Sequence, residues 1–79
     1  MTGTEASITI RRRDVPAHME GFTRRWFPYK GKPYGVVYNA GLGYEIIDEK
    51  GVRVAGDYPS QDDLREDAAR AIDEYRSGQ

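Results

Sequence analysis

The sequence contains no cysteine and only one histidine, His18. Without cysteine the chain can form neither disulfide bonds nor thiolate metal sites, and a single histidine cannot build a histidine metal cluster. The acidic residues are numerous, but none is placed beside an obvious acid or base partner. Gly41-Leu42-Gly43 lacks the lysine and the following helix of a phosphate loop. We therefore predict no catalytic residues, no metal ligands and no cofactor.

Long apolar runs are also absent. No stretch approaches the roughly 20 apolar residues that a membrane helix needs. Residues 1–7 lack the basic and apolar regions of a signal peptide. These absences predict a protein that acts in the cytoplasm and has no membrane partner.

The chain has only 79 residues, which predicts one domain. A chain of this size buries about 60–65% of its unfolded surface, so nearly every large apolar side chain is needed for the core. Little remains to wall a deep substrate pocket, which argues against an enzyme. We expect a flexible tail over residues 1–6 and a single α+β domain over residues 7–79.

The net charge of −1 conceals an uneven distribution. Residues 1–39 contain seven Lys and Arg against three Asp and Glu, a net charge of +4, whereas residues 40–79 contain five against ten, a net charge of −5. Such asymmetry indicates an electrostatically selective partner. The alternative is that the two halves neutralise each other across the fold.

Alternation of apolar and polar residues predicts strands, and Pro28 indicates either an edge position or the end of a strand. The glycine of Glu49-Lys50-Gly51 suits a tight hairpin turn. Residues 14–22 fit either one helical turn or an irregular loop. The predicted fold is an antiparallel sheet of four to five strands with one C-terminal helix packed on one face. The predicted strands are residues 7–13, 22–29, 34–40, 44–48 and 52–55.

The C-terminal helix has the clearest sequence signals. Ser60 is a good N-cap, with Asp63 three residues later, and Gly78 follows the last helical residues. Five apolar residues recur at helical spacing and predict the face that packs on the sheet. They are Leu64, Ala68, Ala71, Ile72 and Tyr75.

The helix also sorts its charged residues by face. Arg65 and Arg76 lie along one flank of the apolar stripe. The acidic residues of the opposite flank and the outer face, which we call the acidic ridge, are Asp62, Asp63, Glu66, Asp67, Asp73 and Glu74. The ridge is suited to mimic nucleic-acid phosphates toward a basic groove. The alternative is an ordinary solvated face with a Glu66–Arg70 surface pair, worth a few tenths of a kcal/mol.

Cations alternate with aromatic rings between residues 24 and 38. Cations for phosphates and rings for bases are what single-stranded nucleic acid needs from a sheet surface. Arg11 and Arg13 extend this arginine–aromatic cluster. The alternative is that half the rings form the core, with Trp26 against Val36 or Val37, and that the lysines guard a strand edge. The cluster comprises Arg24, Arg25, Trp26, Phe27, Tyr29, Lys30, Lys32, Tyr34 and Tyr38.

From residue 44 to residue 75 the chain has a hairpin whose turn ends in glycine, then Tyr58-Pro59-Ser60, then the alanine-rich stretch Ala68-Ala69-Arg70-Ala71-Ile72. This pattern resembles short phage and mobile-element proteins, among them the anti-CRISPR inhibitors, which are similar in size and in lacking cysteine. The resemblance covers less than half of the chain and carries over no individual residue. It implies a protein that covers a nucleic-acid or nuclease-recruitment surface on a CRISPR effector complex, in the host cytoplasm if the chain is phage-encoded.

Two functional hypotheses follow. The first is a non-enzymatic, protein-binding inhibitor of the anti-CRISPR type, and the alternative is a small nucleic-acid-binding domain that uses a basic, aromatic sheet face. Neither the partner nor the oligomeric state follows from the sequence. The candidate partner-binding residues are Arg11, Arg13, Arg24, Arg25, Trp26, Tyr29, Lys30, Lys32, Asp62, Asp63, Glu66 and Asp67.

Overall fold

The computed structural model describes residues 10–17 and 23–78. They form a four-stranded antiparallel sheet and one C-terminal helix, which is the predicted α+β fold. A single turn of 3-10 helix, Arg12–Asp14, precedes the sheet. The remaining elements are β1 (Arg25–Tyr29), β2 (Lys32–Asn39), β3 (Gly43–Ile47), β4 (Arg53–Tyr58) and α1 (Gln61–Ser77).

The strands form an open meander in the order β1-β2-β3-β4, so β1 and β4 are the two edges. Lys30 and Gly31, with φ angles of 50° and 82°, make the two-residue turn between β1 and β2. Positive φ at both positions is the signature of the type I′ turn that suits a right-twisted hairpin. The predicted edge position of Pro28 is confirmed, because Pro28 lies in β1 opposite Pro33.

The predicted hairpin near the middle of the chain is confirmed, and its second strand is longer than expected. Gly51 has a φ of 85°, and its N–H donates to the Asp48 carbonyl at 3.0 Å. β4 continues to Tyr58 with two irregularities in its register against β3, and Asp57 has a φ of 64°. Bulges of this kind twist an edge strand and disfavour further pairing.

Both predicted ends of the helix are confirmed. The Ser60 side chain accepts a hydrogen bond from the Asp63 N–H at 3.1 Å, and Gly78 is the C-cap. Leu64, Ala68, Ala71 and Ile72 are buried, as the stripe predicts, and Tyr75 is half-buried. The helix packs mainly on β3 and β4.

The prediction of a strand over residues 7–13 is wrong for the part that is described. Ile10 belongs to no strand, and Arg12–Asp14 turn into a 3-10 helix. The Asp14 carboxylate accepts a hydrogen bond from the Arg11 N–H at 3.0 Å, so a local side-chain bond competes with strand pairing. Residues 1–9 and 18–22 lie outside the described residues. They include most of the segment 14–22, for which a helical turn or a loop was predicted, and the expected start of the second strand at Phe22.

The core lies between one face of the sheet and α1. Phe27, Val36, Ile46, Leu64 and Ile72 are at most 2% exposed. Burial of each such side chain stabilises the fold by about 1.5–3 kcal/mol. Ile10, Val15 and Pro16 complete the core from the N-terminal segment, and the Arg65 Nε holds that segment through a 2.7 Å hydrogen bond to the Ile10 carbonyl.

Gly43 and Gly41 provide a matched test of the contact between β3 and β4. Both have positive φ, 92° and 86°, but a Cβ at Gly43 meets the Tyr58 carbonyl oxygen, whereas a Cβ at Gly41 meets nothing within 4 Å. We expect Gly41→Ala to cost about 1 kcal/mol through backbone strain alone, and Gly43→Ala to cost about 3 kcal/mol or more. Urea unfolding of the two variants measures the difference. Equal losses would contradict the described approach of β4 to β3.

Candidate binding surfaces

The rings of the arginine–aromatic cluster divide between the two faces of the sheet. Phe27, Tyr29 and Tyr34 are 2–4% exposed and belong to the core. Tyr38 is half-buried and packs against the Tyr44 ring, with centroids 5.0 Å apart. Of the cluster's rings, only that of Trp26 is exposed, so the cluster does not form a row of stacking platforms.

Trp26 lies on the open face of the sheet, not in the core contact with Val36 or Val37 that the sequence suggested. It pairs with Gly35, which in turn pairs with Ile47. A Cβ at Gly35 would lie 3.1 Å from the Trp26 ring and 3.1 Å from Ile47 Cγ1, so the missing side chain lets the indole approach Ile47. Ile47 is thereby 6% exposed, whereas Trp26 remains 45% exposed.

Tyr29 and Lys30, two of the predicted partner-binding residues, are bonded to α1 within the chain. The Tyr29 hydroxyl donates to the Asp73 carboxylate at 2.9 Å, and Lys30 Nζ forms an ion pair with the same carboxylate at 2.9 Å. These bonds join β1 and its turn to α1, because the alternation that buries Phe27 also places Tyr29 on the helix side. The hydrogen bond from Lys30, and then that from Tyr29, lowers the pKa of Asp73.

Most of the arginines among the predicted binding residues are exposed. The 3-10 helix contacts β1, which places Arg11, Arg12 and Arg13 beside that strand. Arg11 lies 3.4 Å from Asp14, and Arg12 lies 4.0 Å from Asp62. Arg13 and Arg24 are exposed and form no ion pair with any residue of the described ranges. Arg25 is half-buried, so of the predicted arginines it is the least available.

Much of the acidic ridge is engaged in internal bonds. Arg70 contacts Asp67 through Nε at 2.6 Å and Nη2 at 2.8 Å, and its Nη1 contacts Glu74 at 2.9 Å. Arg70 therefore forms its ion pairs with Asp67 and Glu74, in place of the Glu66–Arg70 pair that the sequence suggested. The Tyr58 hydroxyl also donates to Asp67 at 2.6 Å. The bonds from Arg70 and then Tyr58 lower the pKa of Asp67, whereas burial and then Asp67 raise that of Tyr58.

The N-terminal end of the ridge is the part that stays open. Asp63 accepts a hydrogen bond from the Ser60 hydroxyl at 3.0 Å, and Asp62 lies 3.4 Å from Arg65. Glu66 is exposed and contacts no cation among residues 10–17 and 23–78. The ridge is thus an array of mostly neutralised carboxylates, which is closer to the solvated face than to a continuous phosphate mimic.

The charge asymmetry of the sequence is partly cancelled across the fold. Lys30 pairs with Asp73, and Arg12 approaches Asp62, so cations of the first half meet acids of the second. Of the first-half cations, Arg13 and Arg24 form no ion pair within the described ranges, and both lie next to β1. This outcome combines the two alternatives that the sequence left open.

Asp48 is an important residue that the sequence reasoning did not single out. Its Oδ1 accepts hydrogen bonds from the N–H groups of Lys50 and Val52 at 2.8 Å, and its Oδ2 accepts one from the Tyr75 hydroxyl at 3.1 Å. The Val52 bond and then the Tyr75 bond lower the pKa of Asp48. An aspartate three residues before a turn glycine is a recognisable signal for such a turn, but its bond to the helix is not.

No family model, no curated protein and no solved structure matches this chain. Within the described ranges, no three His, Cys, Asp or Glu side chains come together to hold a metal ion. None of the helices formed by those residues is long and apolar enough to span a membrane. His18 lies outside the described residues.

Because these carboxylates are bonded in the folded state, the free energy of unfolding depends on pH. Because the pKa of Asp67 is lowered from its ordinary value of 3.8, its contribution is present above that value and is lost as the pH falls through the lowered one. We expect Asp67→Asn to lower the free energy of unfolding at about pH 7, and the difference from wild type to shrink toward zero near pH 2. Urea unfolding at both pH values measures this.

Glu66→Gln is the control, because Glu66 is exposed on the same helix and contacts no described cation. It should match the wild type at both pH values within a few tenths of a kcal/mol. An Asp67→Asn deficit that persists unchanged in acid would mean that the ionised carboxylate is not what stabilises the contact.

Proposed function

We propose that this chain is a non-enzymatic binding protein that engages a protein partner through the β1 edge of its sheet. The observation that carries the proposal is the position of Trp26, a large ring that is 45% exposed on an edge strand. Tryptophan, tyrosine and arginine are the residues that most often dominate protein interfaces.

The surroundings of Trp26 suit an apolar contact. Trp26, Pro28, Pro33 and Lys32 line an open hollow of about 400 Å³ at the end of the β1–β2 hairpin. Its walls are rigid, because two prolines oppose each other on neighbouring strands. A partner side chain that enters this hollow meets a preformed surface, which reduces the conformational cost of binding.

The backbone of β1 adds a second means of contact. Neither Pro28 nor Pro33 has an N–H, so the pair they form is a non-hydrogen-bonded one in the antiparallel ladder. Trp26 and Gly35, two residues away, then form a pair of the same kind. The N–H and C=O of Trp26 consequently point away from β2, toward the side of β1 that pairs with no strand of the described residues. An extended partner segment there can accept and donate hydrogen bonds.

The charge around this edge favours an acidic partner. Arg13, Arg24 and Lys32 are exposed and form no ion pair with the described residues, whereas most of the acidic ridge is bonded internally. Arginines near an aromatic anchor speed association with a negative surface and select against a positive one. The contact we propose is therefore with an acidic protein surface.

The class of inhibitor that the chain resembles suggests which complex to test first. We propose a CRISPR effector complex as the partner, with the host cytoplasm as the place of action. A basic, aromatic edge is repelled by a basic nucleic-acid groove, so of the two modes in that class we favour the covering of an acidic nuclease-recruitment surface.

Nucleic-acid binding is the second candidate, because the same exposed arginines and Trp26 suit phosphates and one stacked base. This hypothesis predicts affinity for oligonucleotides that falls steeply as salt rises. A single available ring leaves little stacking energy, so we place this candidate behind a protein partner.

Trp26→Ala tests the proposed surface, with Leu42→Ala as its matched control. Leu42 is another exposed apolar residue, 53% exposed, in the turn between β2 and β3. In titrations against purified CRISPR effector complexes, we expect Trp26→Ala to weaken binding by about 2 kcal/mol, which is roughly thirtyfold, and Leu42→Ala to leave it unchanged. Trp26→Phe retains an aromatic ring over Gly35. It therefore distinguishes loss of the contact with the partner from loss of packing within the sheet.

Fluorescence anisotropy with single- and double-stranded oligonucleotides distinguishes the two candidates. Salt-sensitive binding that disappears in Arg24→Ala would establish nucleic acid as the ligand and displace the protein partner. Equal affinity of wild type and Trp26→Ala for the effector complex would remove the β1 edge from the interface.

A further inference from the structure

A second concave surface lies where the β3–β4 turn meets the last turn of α1. This cleft has a volume of about 450 Å³. Three separate segments supply its cations: Lys32 begins β2, Lys50 lies in the β3–β4 turn, and Arg76 lies near the end of α1. Tyr34, Asp48, Glu49 and Tyr75 are among the other residues that line it.

Two carboxylates, Asp48 and Glu49, line the cleft beside the three cations, and neither forms an ion pair with them within the described residues. Both oxygens of Asp48 are occupied by the turn N–H groups and the Tyr75 hydroxyl. Asp73, one helical turn before Arg76, is occupied by Tyr29 and Lys30. Glu49 is exposed in the turn. Within the described part of the chain, Lys32, Lys50 and Arg76 form no ion pair.

Arg76 is the most informative of the three cations. Its Nη1 is buried and has no hydrogen-bond partner among the described residues. A buried donor without an acceptor costs about 1–3 kcal/mol, and more when the group is charged. An anion in the cleft could supply acceptor oxygens, and a guanidinium matches a multi-oxygen anion through its planar set of donors.

We propose that this cleft binds the phosphate group of a small molecule. Three cations from three segments suit a dianion with several oxygens better than a single carboxylate, which offers two oxygens and one charge. The phosphate can be free or part of a nucleotide. The proposal is independent of the function proposed above, because Trp26 does not line this cleft. Lys32 borders both hollows and is therefore left unchanged in the test.

The test is a titration of the ¹⁵N-labelled chain with inorganic phosphate, pyrophosphate and ADP at constant ionic strength, with acetate as the reference anion. We expect saturable amide shifts in the β3–β4 turn and near Arg76, with a dissociation constant of about 1 mM or below for the best of the phosphates. Tighter binding of ADP than of phosphate identifies a nucleotide source, and the reverse identifies a free phosphate.

Variants assign the shifts to the cleft. Arg76→Gln should weaken binding about tenfold, and Lys50→Gln should weaken it severalfold. Arg70→Gln is the matched control, since Arg70 is an arginine of the same helix that bonds Asp67 and Glu74 outside the cleft. It should leave the affinity unchanged. Lys50 is exposed in a turn, so its variant keeps the test decisive if Arg76→Gln does not fold.

Shifts that do not saturate, or that acetate reproduces, would overturn the proposal and indicate only general screening of charge. Undiminished phosphate affinity in both Arg76→Gln and Lys50→Gln would overturn it as well. Neither result bears on the Trp26 experiment, which reports binding of a protein at the other hollow.

Discussion

Three hydrogen bonds between tyrosine hydroxyls and aspartate carboxylates join α1 to the sheet around the edge of the apolar core. Tyr29 of β1 donates to Asp73, Tyr58 of β4 donates to Asp67, and Tyr75 of α1 donates to Asp48. Each bond has a charged acceptor, and such bonds are stronger than those between neutral groups. In a chain too short for a large core, these three polar contacts add to the stabilisation from apolar burial and fix the position of the helix on the sheet.

The same bonds decide which charges remain available at the surface. Lys30 and Arg70 form ion pairs with the carboxylates to which the tyrosines donate, so the charges of these two cations and two acids are balanced within the chain. Lys50 and Arg76, near the bonded carboxylate of Asp48, form no ion pair within the described residues. The exposed indole of Trp26 lies on the face of the sheet away from the helix, whereas the cationic cleft lies at the end of the helix–sheet contact, beside the Tyr75–Asp48 bond. Lys32 and Pro33 border both hollows.

The elements predicted correctly are those whose cause lies within a few residues. The helix has its cap at Ser60 and its stripe from Leu64 onward, and the β3–β4 turn has Gly51 at the position that needs positive φ. The strand predicted over residues 7–13 is absent from its described part. The Asp14 carboxylate accepts a hydrogen bond from the Arg11 N–H, and this local bond competes with strand pairing. Alternation of apolar residues does not reveal such a competing bond. The burial of Tyr29 was not predicted, because strand alternation does not show which face of the sheet the helix covers.

By itself, the sequence determined the α+β class, the β3–β4 hairpin, the apolar face of α1, and an edge or strand-end position for Pro28. Periodicity, turn glycines, capping residues and Pro28 are sufficient for these features, because they act over one turn or one strand. Only the tertiary structure decided that Trp26 is exposed while Tyr29 is buried, and that Asp73 is bonded to β1 and its turn. Those outcomes depend on contacts between residues up to 44 positions apart, and local sequence patterns do not predict contacts between residues so far apart in the chain.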